Sequence, residues 1–84
     1  MAQPKRKLTV YGPATYRIRI QGVVAENWSD YYGGMTIQAK IEPDQPPVTT
    51  LTGQLLDQAA LMGVLNRLYG LCLPLLSVEC LSID

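Results

Sequence analysis

The sequence contains no histidine, no phenylalanine and only two cysteines, and its seven Lys and Arg are balanced by seven Asp and Glu over 84 residues. Without histidine, the commonest general base near neutral pH and the commonest zinc ligand are missing. A chain of zero formal charge has no global field to steer it toward nucleic acid or an acidic membrane. Cys72 and Cys80 form no CxxC site. Along one extended segment they stand up to about 26 Å apart at ~3.3 Å per residue, so both are expected as reduced thiols in the core. No GxxxxGK or GxGxxG loop is present to cradle a phosphate, and no EF-hand spacing to hold calcium. No cofactor, metal or enzymatic activity is therefore expected.

Long apolar runs are also missing. Between Leu51 and Leu81 the chain is interrupted by Asp57, Asn66, Arg67 and Pro74, and each charge costs about 2.5–3.5 kcal/mol at the centre of a membrane helix. No membrane span is expected. The start, MAQPKRKLTV, has a basic cluster with no apolar run after it, so no signal peptide is read and the cytoplasm is the expected compartment.

What is present is a chain with 48% hydrophobic and 17% charged residues, apolar enough to fold and short enough for one domain. Residues 1–14 read as a basic tail and turn, and 15–84 as a single α+β domain. Charge is segregated. Residues 1–20 hold Lys5, Arg6, Lys7, Arg17 and Arg19 with no acid, a local +5; the remainder holds seven acids against Lys40 and Arg67, a local −5.

Leu8 and Val10 are candidates for a short edge strand before the Gly12-Pro13 turn. From Thr15 the pattern alternates strictly, with Tyr16, Ile18 and Ile20 on one side and Arg17, Arg19 and Gln21 on the other. A loop, AENWSDYYGG, is closed by Gly33-Gly34, where glycine supplies positive φ. Met35, Ile37, Ala39 and Ile41 then alternate with Thr36, Gln38 and Lys40. EPDQPP breaks the ladder. VTTLTGQL alternates again, with Thr49, Leu51, Gly53 and Leu55 on one side. Gly53 there permits close helix approach or marks a bulge.

Asp57 is placed to cap a helix in which Leu61, Val64, Leu65 and Leu68 form one stripe, with Gly70 expected as the left-handed residue past its end. On that stripe, Leu65→Asp is expected to unfold the domain. The last run, LPLLSVECLS, puts Leu76, Val78 and Cys80 on one side and Ser77 and Glu79 on the other. The fold class expected is α+β and two-layer: a single helix packed on one face of a four-stranded mixed sheet, in the order β-β-β-α-β, with the fourth strand parallel to the third.

Two stretches, WSDYYGGMTI (28–37) and TTLTGQLLDQAALMGVLNRLYGLCLPLLSV (49–78), resemble a group of small bacterial proteins of unknown function. In that group the helix start looks like LxDQAALxGxL, as in Leu55 to Leu65 here, and a terminal LPLLSV follows. The resemblance covers about half the chain and implies a shared fold. It carries over no activity, cofactor, partner or site residue.

Candidate sites come from the residues themselves. Trp28, Tyr31 and Tyr32 stand in one loop, where large aromatics serve either as interface anchors or as a lid folded over the core. As an interface anchor, Trp28 would be replaceable by alanine without loss of the fold. Arg17, Arg19 and Lys40 belong to a polar sheet face, which is either a docking surface or an ordinary solvated face. That face has no aromatic to stack a base. Met62 and Tyr69 flank the helix stripe, as core edge or dimer contact. The leading expectation is a small non-enzymatic protein-interaction module, possible as a homodimer, whose partner is an unidentified protein or a second copy. The alternatives are an accessory nucleic-acid binder using the basic tail with Arg17 and Arg19, which the neutral total charge disfavours, and a small-ligand binder.

Overall fold

The computed structural model describes residues 7–84; Lys5 and Arg6 of the basic cluster lie outside the described residues. Strand β1 (Ala14–Gln21) is followed by a 3-10 helix (Glu26–Tyr32), β2 (Thr36–Lys40), β3 (Val48–Leu55), helix α1 (Gln58–Tyr69) and β4 (Leu75–Ile83). The four strands form one sheet in the order β2-β3-β1-β4.

Every neighbouring pair is antiparallel. This corrects the expected mixed sheet of order β-β-β-α-β. The helix does return the chain in the direction of β3, since β3 and β4 both run antiparallel to β1. But β1 lies between them, so no parallel pair is hydrogen-bonded. Of the two interior strands, β1 is the more regularly alternating, Thr15 to Gln21, and it carries a ladder on each side. The second departure is the 3-10 helix, an element in the stretch read as a plain loop. No strand forms over Leu8 and Val10; instead the Val10 carbonyl accepts from the Gln58 amide, at 3.0 Å, at the start of α1.

Alternation decides the faces. Reading across the sheet from β2 to β4, one row of the apolar face is Ile37, Leu51, Ile18 and Val78. The opposite face has the row Thr36, Thr52, Arg17, Glu79. Leu61, Val64 and Leu68 of α1 close the apolar face with Tyr16, Ile18, Ile20, Leu51 and Leu55. Tyr32 and Met35, at the end of the 3-10 helix and just before β2, join the same core. Leu65 is only partly buried against it. The helical layer thus covers the side toward β2 and the middle of the sheet.

Local chemistry fixes the ends. Asp57 caps α1, its Oδ1 accepting from the Ala60 amide at 2.8 Å. Gly70 is not the left-handed residue: it keeps right-handed geometry at φ −60°, and Cys72 takes the positive φ, 58°. Both Cys72 and Cys80 are exposed rather than in the core. The hydrogen bonds explain the shift, because the Leu71 and Cys72 amides reach the Leu68 and Tyr69 carbonyls and prolong a 3-10-like turn past the helix.

Among the described residues, Thr49 is the one buried polar residue of the core face. Its hydroxyl donates to the Gly22 carbonyl at 2.6 Å and accepts from the Val24 amide at 3.2 Å. It therefore serves the backbone leaving β1, whose groups would otherwise be buried unpaired. A Cβ on Gly53 would lie 3.1 Å from Cα of Met35. The close approach that glycine permits is that of the chain entering β2, not the helix, and the β1–β3 ladder passes it without a bulge.

Candidate functional site

The aromatic stretch divides. Tyr32 is buried in the core, while Trp28 and Tyr31 are about half exposed. The three rings make an edge-to-face series, with centroids 5.8 Å apart for Trp28 and Tyr31 and 5.0 Å for Tyr31 and Tyr32. The Arg67 guanidinium of α1 sits over the Tyr31 ring, 5.2 Å from its centroid. Tyr32 is thus the lid, and Trp28 is the outermost member of a stack anchored through it. A shallow hollow of about 390 Å³ lies beside Trp28, bounded by Val23, Tyr31 and Leu71.

Burial pushes the Tyr32 phenol above its ordinary value; Tyr31 adds to that, and Arg67 acts in the opposite sense. The folded chain holds this proton more tightly than the unfolded one. The stability it brings is therefore full below about pH 10, the ordinary tyrosine value, and is lost as pH rises through the raised folded value. Tyr32→Phe is expected to melt with a shallower alkaline decline than the parent. Thermal melts of both proteins from neutral to strongly alkaline pH measure the difference, and parallel curves would contradict it.

On the polar face, Arg17 does not stand free. Its guanidinium engages both carboxylate oxygens of Glu79, at 3.1 and 3.2 Å, across the β1–β4 ladder. Lys40 pairs with Glu42 at 3.0 Å in an open setting, an arrangement worth roughly 0–1 kcal/mol. Arg19 is exposed and, among the described residues, has no ion-pair partner. It borders a small cleft with Lys40, Glu42 and Gln45. The three cations therefore do not form one patch: two carry carboxylates of their own.

The surface that reading the sequence missed is β4. None of its nine residues is buried. Exposure along the row Ile37, Leu51, Ile18, Val78 is 3, 0, 0 and 38%. A second row, through Thr49 and Ile20 to Leu75, runs 0, 1 and 54%. Leu76 and Leu81 are also exposed. The alternation that marked Leu76, Val78 and Cys80 as an apolar side is real, but the helical layer stops short of it. Between α1 and β4 an open apolar groove of about 420 Å³ remains, walled by Leu65, Tyr69, Leu73 and Leu75 over Ile20. Tyr69 and Met62 are exposed rather than core edge.

The strand is an edge as well as a face. Among the described residues β4 pairs with β1 on one side and has no second neighbouring strand in the sheet. Register shifts fall at Leu76 and at Leu81, leaving Ser77 to Cys80 in regular pairing between them. The far end is tied down: the Asp84 carboxylate accepts from Thr15 Oγ1, Gln54 Nε2 and Ser82 Oγ. Ser77 Oγ, like the Tyr16 hydroxyl, is buried and has no hydrogen-bond partner among the described residues. The composition signal that could have found this surface is the number of apolar residues in β4, Leu75, Leu76, Val78, Cys80, Leu81 and Ile83, against a single helix too narrow to cover four strands.

Among the described residues no group of three or more His, Cys, Asp or Glu is placed to hold a metal ion. Among them also, no helix is long and apolar enough to cross a membrane. Residues 15–79 match the model of a family described as a domain of unknown function (DUF8691), a span that encloses both stretches 28–37 and 49–78. No curated protein and no solved structure matches the chain.

Proposed function

Because the chain belongs to the DUF8691 family, a domain of unknown function, we propose a function from its geometry: a small non-catalytic protein-contact module that adds an extended, apolar-and-polar alternating strand to the edge of β4. One observation carries it. A nine-residue edge strand has its apolar side in solvent beside an open apolar groove. Such edges are ordinarily shortened, charged or covered, because an unpaired row of amides and carbonyls is a template for another strand. Strand addition supplies main-chain hydrogen bonds for affinity and side-chain pockets for selectivity. Leu75, Leu76 and Val78 fall to the partner's alternate side chains, and the groove takes what projects beyond them.

The nucleic-acid alternative is weaker on this surface. Glu79 occupies Arg17, Glu42 occupies Lys40, and the polar face offers Arg19 as its unpaired cation among the described residues. Phosphate contacts need several such cations together.

The test is saturable binding of a fluorescent peptide with the β4 sequence, LLSVECLSI, carrying Cys80→Ser. Val78→Lys in the protein is expected to weaken binding at least tenfold, because lysine on an edge blocks pairing, while Trp28→Ala leaves it unchanged. Binding lost with Trp28→Ala instead would move the contact surface to the aromatic 3-10 helix. Absence of any saturable binding would overturn the proposal.

A further inference from the structure

The partner strand can be named from the chemistry of β4 itself. We propose that it is β4 of a second copy, paired antiparallel about a two-fold axis at Val78, so that two four-stranded sheets become one of eight strands. The inference rests on the reading of β4 as the contact surface.

A two-fold axis normal to the sheet keeps the apolar faces of both copies on one side. Residues that face one another must then share a face, which places the axis at a residue rather than between two. With the axis at Val78, Val78 meets its own copy and Leu76 meets Cys80. Leu75 meets Leu81, and Ser77 meets Glu79. Each apolar residue faces an apolar one, and no like charges are opposed. An axis at Glu79 would set two carboxylates directly opposite, which is destabilising. An axis at Ser77 would oppose Leu75 to Glu79. Self-complementarity thus selects one register.

One observation at the strand agrees with it. Leu81 of the second copy comes alongside Leu75, a wall of the apolar groove, and the two-fold repeats that contact on the other copy. Residues 1–6, MAQPKR, are a poor substitute as occupant. They are polar, doubly basic and interrupted by Pro4, which cannot donate to a ladder.

The experiment uses the full chain with Cys72→Ser and Cys80→Ser. In that background Val78→Cys is expected to form an intermolecular disulfide under mild oxidation at least tenfold faster than Thr36→Cys on the opposite edge, since directly opposed residues stand about 4.5–5.5 Å apart between Cα atoms. The parent chain is expected to sediment as a dimer, and Val78→Lys to weaken that dimer at least tenfold. Equal cross-linking rates at the two edges would overturn the proposed register. A parent that stays monomeric would overturn the second copy as partner. If that monomer still binds the β4 peptide, the contact surface stands and only its occupant is wrong; if it does not, both fail.

Discussion

Val64→Asp unfolds the domain. Val64 is 1% exposed and lies on the α1 stripe between Leu61 and Leu68, within the core between the helix and the sheet. The change removes a buried branched side chain, worth about 1.5–3 kcal/mol, and puts a carboxyl group into the apolar core, while the Arg67 guanidinium is engaged over the Tyr31 ring; burying that group costs a further several kcal/mol. At ~0.05–0.15 kcal/mol per residue, an 84-residue chain has little more than that in reserve. Far-ultraviolet circular dichroism is expected to show loss of the cooperative melt. Leu65→Asp, which the helix spacing alone marks as unfolding, is corrected by the structure to the paired control. Leu65, one step along the same stripe, is only partly buried and borders the groove, so its carboxylate reaches water and the fold survives with a lowered melting temperature. Equal loss for the two variants would mean that the groove is closed in solution.

Gly33→Val is the second large effect. Gly33 ends the 3-10 helix at φ 71°, a left-handed conformation that costs a β-branched residue about 1–2 kcal/mol. A Cβ there would also stand 2.9 Å from Leu55 Cδ2 and 3.3 Å from Val64 Cγ2, and such overpacking adds roughly 1–3 kcal/mol. Gly34, also left-handed at φ 75°, has nothing near its missing Cβ. Gly34→Val therefore carries the conformational cost without the clash. Urea denaturation is expected to rank parent above Gly34→Val above Gly33→Val, and the reverse order for the two variants would contradict the packing of the 3-10 helix on the core.

The alternating strands, the Asp57 cap and the positive φ of Gly33 and Gly34 were legible because each follows from local geometry: a period of two, one hydrogen bond and one steric exception. The sheet order was not. Whether β4 lies beside β3 or β1 depends on long-range pairing, and both strands present an alternating apolar side to it. The helix cover was misjudged for a related reason. Leu65 and Leu61 share a stripe by spacing, yet one is half-buried and the other buried, because what lies opposite each is set by where the sheet ends. Trp28, Tyr31 and Tyr32 were a legible cluster whose division into lid and exposed edge needed the third dimension. Arg17 was legible as an outward cation, but its carboxylate partner, Glu79, is 62 positions away in the chain.

The sheet has two edges, and they are unequal. β2 is five residues long, presents Thr36, Gln38 and Lys40 to solvent, and leads through Glu42 into a loop with Pro43, Pro46 and Pro47. Repetitive edge-to-edge growth needs a receptive strand on both sides of every molecule; among the described residues, the proposed contact edge is one. Joining through β4 consumes it, and what the joined pair shows to the outside is two copies of the short polar edge. In the proposed pairing, that asymmetry ends assembly at two, by geometry and without a separate capping protein.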